Sequence, residues 1–377
     1  MRYLKIILLT LIVISCAKPL ILKEIRLNAD KYYIFGGSNH RDFFSEVTLE
    51  DSLEYVWSNN LNGSQWTSSV TIMDNLLIAS DLAGRVFAFD RKSGKEKGAV
   101  KYKGAIFHQP LIYKNKLHFV VNEEKETYST LYYYDFINSK NLLEINLEGN
   151  VRNELLMVDN NLFVLTDNGD LHKYNPVGTE IVNIGTGVIS NTSPICISDK
   201  IVFANIEGEI IVFNNETEKI EFRKKITSSF KSNISGDDQN VYAGTDTGEI
   251  LCFNLKANEV LWSKNTGVKI IAAPSLDDKL LFVGDLSGMF YALNKVTGDV
   301  VWNYDTKGLV NNSALVTNKS VLIPDHNKKL HVLDKVTGKK LSINEFDGRV
   351  KSSPVYFDSL VYIGYDKGMI AALRGIK

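Results

Sequence analysis

GMFYALNKVTG, residues 288–298, is the phrase whose repetition decides the fold of this 377-residue chain. Its pattern of a glycine, an apolar run and an acid or amide, often followed by a second turn, recurs along the sequence. The acid or amide, or the residue that replaces it, falls at positions 90, 135, 175, 214, 254, 294, 334 and 374. The first spacing is 45 residues and the other six are 39 or 40. Such a regular period is typical of repeat architectures.

Within one period the apolar residues form four short runs. Around the quoted phrase these runs are residues 270–273, 280–283, 289–293 and 300–302. They are rich in β-branched and aromatic residues and are bounded by Asp, Asn, Ser or Gly, which predicts strands and leaves no room for a helix of ten residues. Four short strands in forty residues are the signature of a β-propeller blade. We therefore predict an all-β, eight-bladed β-propeller with four-stranded blades.

The last period lacks its fourth strand. Trp262 and Trp302 each lie eight residues after the anchor of their period and mark the fourth strand, whereas the chain ends three residues after Arg374. Near the N-terminus, Trp57 precedes Asp90 by 33 residues, close to the 32 residues between Trp262 and the next anchor. We predict that this N-terminal strand completes the last blade. The ring is then closed, and two sheet edges that would favour aggregation are removed.

The N-terminus has the composition of an export signal. Arg2 and Lys5 precede the apolar run 6–14, whose nine residues are too few to cross a bilayer about 30 Å thick as a helix. The run leads directly into Val13-Ile14-Ser15-Cys16, which resembles the bacterial lipobox. In that class of signals the cysteine thiol is acylated and cleavage leaves it as the new N-terminus. The alternative is an ordinary signal peptide that happens to contain a cysteine.

These patterns divide the chain into three parts. We predict a lipoprotein signal peptide over residues 1–15, a lipidated N-terminus and tether over residues 16–52 with Cys16 as the site of lipid attachment, and the propeller over residues 53–377. The mature chain would be tethered to a membrane without spanning it.

Composition excludes several classes of function. With 43 basic and 44 acidic residues the formal net charge is −1, and no positive field is present to attract nucleic acid. Three cysteines cannot form a disulfide framework. The sequence contains no HExxH, GxSxG or CxxC motif, and the six histidines lack metal-ligand spacing. We predict no catalytic residue, no metal site and no cofactor.

The repeat resembles a known one. A glycine, two apolar residues, Ala-Leu-Asp/Asn, two residues, Thr-Gly and then Trp is similar to the PQQ-type propeller repeat, as are Ser193-Pro194, Ala273-Pro274 and Ser353-Pro354 at the heads of blades. An eight-bladed propeller of such repeats behind a lipobox resembles the BamB family of outer-membrane protein assembly lipoproteins. The resemblance covers nearly the whole mature chain. The repeat is specific for the fold and much less so for the function.

The resemblance implies a non-enzymatic scaffold of an outer-membrane β-barrel assembly machinery. It implies a lipid anchor on the periplasmic side of the outer membrane of a Gram-negative bacterium. The implied partners are the periplasmic domains of the β-barrel insertase, with unfolded outer-membrane proteins as further candidates.

The resemblance also implies where the insertase docks. In the family, loops that join the outer strand of one blade to the inner strand of the next, near the middle of the chain, hold this partner. The matching loops here carry Val188, Ile189 and Asn191 before Ser193-Pro194, and Phe230 and Lys231 before Asn233. An apolar side chain at a loop tip is a reasonable interface hot spot. The alternative is that these residues begin the inner strands and pack in the core.

Two rival functions stay open. One is a periplasmic binding module for another protein partner or a glycan, because propellers bind through their loop faces. The other is a PQQ-dependent alcohol or glucose dehydrogenase, a class whose members resemble each other in a vicinal Cys-Cys pair, a carboxylate-bound calcium and an Asp base. Here Cys196 and Cys252 lie in different repeats, and a strict forty-residue period leaves no space for the long insertions of those enzymes. We expect both cysteines to be small buried apolar residues.

Overall fold

The computed structural model describes residues 20, 32–61, 63–64, 69–123 and 127–376. These residues form 33 strands and one 3-10 turn, Asp366–Gly368. The strands build eight antiparallel sheets, one per sequence period, arranged as an eight-bladed propeller. The prediction of an all-β, eight-bladed propeller with four-stranded blades is confirmed. Cys16 and the predicted signal peptide lie outside the described residues.

Blades 1 to 4 take up the first half of the ring. Blade 1 carries one extra short strand, β1, beside its first strand. The strands of these blades are β1 (Tyr32–Tyr33), β3 (Thr71–Met73), β4 (Leu76–Ser80), β5 (Arg85–Asp90) and β6 (Glu96–Lys101) in blade 1; β7 (Leu111–Tyr113), β8 (Lys116–Asn122), β9 (Tyr128–Asp135) and β10 (Lys140–Glu148) in blade 2; β11 (Leu156–Val158), β12 (Asn161–Leu165), β13 (Asp170–Tyr174) and β14 (Glu180–Gly185) in blade 3; and β15 (Ile195–Ile197), β16 (Lys200–Ala204), β17 (Glu209–Asn214) and β18 (Lys219–Lys225) in blade 4.

Blades 5 to 8 complete the ring, and blade 8 takes its outer strand from the N-terminal part of the chain. Their strands are β19 (Ile234–Gly236), β20 (Asn240–Gly244), β21 (Glu249–Asn254) and β22 (Glu259–Asn265) in blade 5; β23 (Ser275–Leu276), β24 (Leu280–Gly284), β25 (Met289–Asn294) and β26 (Val300–Asp305) in blade 6; β27 (Leu315–Val316), β28 (Ser320–Pro324), β29 (Lys329–Asp334) and β30 (Lys340–Glu345) in blade 7; and β31 (Val355–Phe357), β32 (Leu360–Tyr365), β33 (Met369–Ile376) and β2 (Ser52–Asn60) in blade 8.

The core lies between neighbouring blades. Strand β17 is buried at its four central positions, whereas the outer strand β18 alternates between exposed and half-buried residues. Side chains of blade 4, such as Val202 and Val212, pack against Val241 and Leu251 of blade 5 in one cluster. Middle strands are covered on both faces because blades stack face to face, and this explains their continuous apolar runs. First strands of successive blades adjoin each other and line the central channel.

The ring is closed as predicted. Strand β2 pairs antiparallel with β33 over nearly its whole length, and Trp57 lies opposite Ala372. The C-terminal period supplies three strands of blade 8 and the N-terminal strand supplies the fourth. This pairing leaves no exposed inner edge at the point where the two ends of the propeller meet.

Residues 34–50, which we name the N-terminal segment, lie across the channel end of the propeller. The carbonyl oxygens of Asn39, His40, Asp42 and Phe43 accept hydrogen bonds of 2.9 Å from the first strands of blades 4, 5, 6 and 7, respectively. The donors are the backbone N–H groups of Cys196, Gly236, Leu276 and Val316. This segment belongs to the region predicted as a tether, and its described residues are packed against the propeller. The boundary at residue 53 stays a prediction.

Candidate interaction surface

The loop between blades 3 and 4 presents the first predicted contact residues. The hairpin between β12 and β13 supports this loop, because the carbonyl oxygen of Asp167 accepts a hydrogen bond of 3.1 Å from the N–H of Ser190. Directly before Ser190, the side chain of Ile189 is 48% exposed. Val188 is half-buried and Asn191 is exposed. The structure therefore places all three predicted residues of this loop at the surface, with Ile189 at its tip.

The loop between blades 4 and 5 separates its two predicted residues. Lys231 is exposed, and its Nζ lies 3.2 Å from Oδ2 of Asp246. Phe230 is 0% exposed and packs in the cluster between blades 4 and 5. Its N–H donates to the carbonyl oxygen of Asn205, so Phe230 occupies the position of Ser190 and not that of Ile189. The prediction of Phe230 as a surface contact is therefore corrected, because its side chain points into the core.

Leu309 is an exposed loop-tip residue that the sequence reasoning missed. It lies 120 residues after Ile189, which is three periods, and it is 45% exposed. The backbone environments match. The carbonyl oxygen of Ile189 accepts from Ile206 at 3.0 Å, and that of Leu309 accepts from His326 at 2.9 Å. Counting the period forward from Ile189 would have found Leu309.

Charged pairs surround these apolar tips. In the loop before blade 8, Arg349 takes the position of Ile189, and its Nε lies 2.8 Å from Oδ2 of Asp366. Lys351 also contacts Asp366, with Nζ 3.0 Å from Oδ1. Hydrogen bonds from Arg349 hold the pKa of the Asp366 carboxyl well below its usual range. An apolar tip within a polar rim is the usual arrangement of a protein-binding surface.

The two described cysteines are packing residues. Cys196 and Cys252 are free and buried. Burial raises the pKa of the Cys196 thiol to about 11 and that of Cys252 to about 12, so both are protonated at neutral pH. A protonated thiol is a poor nucleophile and a poor metal ligand. The structure thus agrees with the expectation that both cysteines act as small apolar side chains.

Two searches of the described residues found no candidate. In the ranges that the structure describes, no three His, Cys, Asp or Glu side chains form a group that could hold a metal ion. No helix in those ranges is both long enough and apolar enough to cross a membrane.

Solved structures share the propeller fold with this chain. BamB from Moraxella catarrhalis is 13% identical with a TM-score of 0.72, and the match covers 86% of this chain and 100% of that one. Quinohemoprotein alcohol dehydrogenase from Comamonas testosteroni is 11% identical with a TM-score of 0.77, covering 91% of this chain and 80% of that one. A europium-containing methanol dehydrogenase is 9% identical with a TM-score of 0.75, covering 90% and 97%. At these identities the likeness shows the fold alone.

Sequence comparison is more selective. No curated protein matches the chain. The profile of the family described as outer membrane protein assembly factor BamB matches residues 49–264 and 257–375. These ranges contain every strand of the propeller except β1. The chain therefore belongs to the outer membrane protein assembly factor BamB family.

Proposed function

We propose that this protein is a non-enzymatic scaffold of an outer-membrane β-barrel assembly machinery. Lipid on Cys16 anchors it to the periplasmic side of the outer membrane, and its loop face binds the periplasmic domains of the insertase. Membership of the BamB family supports this proposal. The observation that carries it is the exposed apolar tip of Ile189, flanked by exposed polar residues on the loop face.

The proposed contact set is Val188, Ile189, Asn191 and Lys231. These residues lie on two consecutive loops of blades 3 to 5, so one partner surface can reach both loops. Ile189 would enter an apolar pocket of the partner, since buried anchors near the centre of an interface supply most of the binding energy. Lys231 would contribute at the rim, where a charge affects the association rate more than the affinity.

The test compares Ile189→Asp with Leu309→Asp. Both changes place a carboxylate at an equally exposed loop tip, but Leu309 lies three blades away from the proposed contact set. Each variant is purified from membranes of its own cell, and the co-purifying insertase is measured by mass spectrometry. We expect Ile189→Asp to lower insertase recovery at least tenfold and Leu309→Asp to leave it unchanged. Equal recovery with wild type and Ile189→Asp would overturn the contact set.

The lipid anchor has its own test. Cys16→Ser removes the nucleophilic sulfur that thioether formation with a diacylglycerol requires. We expect the variant to accumulate unprocessed or as a soluble periplasmic form. An unchanged membrane fraction after washing with high salt would contradict lipid attachment at Cys16, because salt removes proteins that are held by charge alone.

The structural likeness to dehydrogenases calls for a direct assay. Both described thiols are buried and protonated, which supports a non-catalytic role. The assay adds PQQ, calcium and primary alcohols to the purified chain and follows reduction of an artificial electron acceptor. We expect no turnover above a control without protein. Turnover that depends on PQQ would replace the scaffold proposal with an enzymatic one.

A further inference from the structure

A cavity of about 470 Å³ lies between the N-terminal segment and the first strands of blades 1 to 3. Ile34, Phe35 and Arg41 form one wall, and residues of β3, β7 and β11 form the others. Sites for small molecules typically have volumes of 300 to 1,000 Å³. The cavity is thus of the size of a ligand site, and it exists only where the N-terminal segment meets the propeller.

Arg41 is an incompletely bonded cation in this wall. The residue is 2% exposed. Its Nη2 donates to the carbonyl oxygens of Glu154 and Leu155, both at 3.3 Å, and its guanidinium carbon lies 5.2 Å from the centre of the Phe35 ring. Within the described part of the chain, Nε and Nη1 have no hydrogen-bond partner. A buried donor without a partner costs about 1–3 kcal/mol, and more when it is charged.

No carboxylate of the described residues neutralises Arg41. The nearest candidate is Glu154, whose Oε2 accepts a hydrogen bond of 2.8 Å from the N–H of Gln109, and it forms no ion pair with Arg41 within 4.0 Å. Burial raises the pKa of Glu154 to about 8, so this carboxyl is mostly protonated at pH 7. Burial lowers the pKa of Arg41 to about 10, so the guanidinium keeps its charge. The cavity therefore carries an uncompensated positive charge.

The rest of the lining is mainly apolar, with one more polar group left open. Ile34, Phe35, Leu111 and Met157 offer an apolar surface. The side chain of Gln109 also lines the cavity, and its buried Oε1 has no partner among the described residues. A ligand with an oxyanion for Arg41, a hydrogen-bond donor for Gln109 and an apolar body would match all three features.

We propose that this cavity binds a small amphipathic anion, a molecule with a carboxylate or similar oxyanion on an apolar body, whose oxyanion pairs with Nε and Nη1 of Arg41. An arginine that offers two adjacent N–H groups suits a planar carboxylate, which can accept from both. The inference concerns a site apart from the loop face and needs no protein partner, so it goes beyond the scaffold function.

The test uses two fluorescent probes that differ in charge. The probes are 1-anilinonaphthalene-8-sulfonate, which is an apolar body with an oxyanion, and the uncharged N-phenyl-1-naphthylamine. Each is titrated into the purified full-length protein. We expect one saturable site for the sulfonate in wild type. Arg41→Met should weaken sulfonate binding at least tenfold and change binding of the uncharged probe less than twofold.

A matched control and a second variant keep the test decisive. Arg349→Met removes an exposed arginine on the loop face and should leave both probes unaffected. Met157→Trp fills the cavity from a half-buried position without changing charge, and it should abolish binding of both probes while circular dichroism and the melting temperature stay as in wild type. If Arg41→Met fails to fold, Met157→Trp decides the question. Undiminished sulfonate binding to folded Arg41→Met, or to Met157→Trp, would overturn the proposal.

Discussion

The indole Nε1 of Trp57 donates a hydrogen bond of 2.9 Å to the backbone carbonyl oxygen of Arg91. This bond joins the outer strand of blade 8 to the turn between the third and fourth strands of blade 1. In the same turn Gly94 has a φ of +69°, and a Cβ on it would lie 2.5 Å from the Trp57 ring. The Thr-Gly and Trp elements of the repeat are thus two halves of one contact between neighbouring blades, in which the glycine makes space for the indole.

We expect Trp57→Ala to lower the free energy of unfolding by about 3 kcal/mol, since it removes a large aromatic contact and leaves a cavity between two blades. Trp57→Phe keeps a ring and loses one hydrogen bond, so its cost should be about 1 kcal/mol. Trp262→Ala is the matched control, because Trp262 makes the same bond, at 3.0 Å, to Lys295 of the next blade. Urea unfolding followed by circular dichroism measures all three variants. A wild-type midpoint for Trp57→Ala would contradict the role of this contact.

Deleting residues 369–377 should open the ring. The deletion removes β33, whose buried Ile370, Ala372 and Leu373 pack in the core, and it leaves β2 without its partner. Unpaired strand edges promote association, so we expect lower melting temperature and oligomers in size-exclusion chromatography. Deleting only residues 376–377 is the control and should preserve a stable monomer. A monomeric 369–377 deletion with the wild-type melting temperature would refute closure through β2 and β33.

Ile189→Asp and Phe230→Asp should differ sharply in stability. Phe230 is fully buried, and a carboxylate at that position would be desolvated without a partner, so we expect this variant not to fold. Ile189 is half exposed, and its substitution should change the free energy of unfolding by less than about 0.5 kcal/mol. Thermal melting monitored by circular dichroism distinguishes the two. The placement of these residues is wrong if the two variants melt at the same temperature.

Acid should weaken the fold through His108. The buried ring donates from Nδ1 to the carbonyl oxygen of Gln109 (3.2 Å), and its Nε2 accepts from the N–H of Val120 (3.0 Å). Burial lowers the pKa of His108 to about 4, below its usual value of about 6.5 in an unfolded chain. Between these two values the unfolded state binds more protons, so the stability contributed by neutral His108 is present above pH 6.5 and is lost as the pH falls toward 4.

The corresponding test is His108→Gln, which keeps an acceptor for Val120 and cannot become charged. We expect the loss of stability between pH 7 and pH 5, measured by urea unfolding, to be smaller in this variant than in wild type. His40→Gln, at a half-buried position, serves as the control and should retain the wild-type loss. An unchanged pH dependence in His108→Gln would exclude His108 as a source of acid sensitivity.

The repeat, the strands and the closure of the ring could all be predicted from sequence because each rests on local pattern. The turn residues around Gly288 and Gly298 and the apolar run between them determine a strand and its two ends within eleven residues. Repetition of that pattern then determines the number of blades. Trp57 could be assigned to the last blade because its distance from the next anchor is that of every other fourth strand.

Two decisions belonged to the tertiary structure. The choice between core and surface for Phe230 depends on a shift of one residue in a loop, and loops lack the hydrophobic period that reveals burial. The position of Arg41 depends on contacts with Glu154 and Leu155, more than a hundred residues away. The N-terminal segment has no repeat to report its partners, and it binds the channel mainly through backbone carbonyls. Because every residue type carries a backbone carbonyl, such bonds leave no mark in the sequence, and only the assembled ring decides where the segment lies.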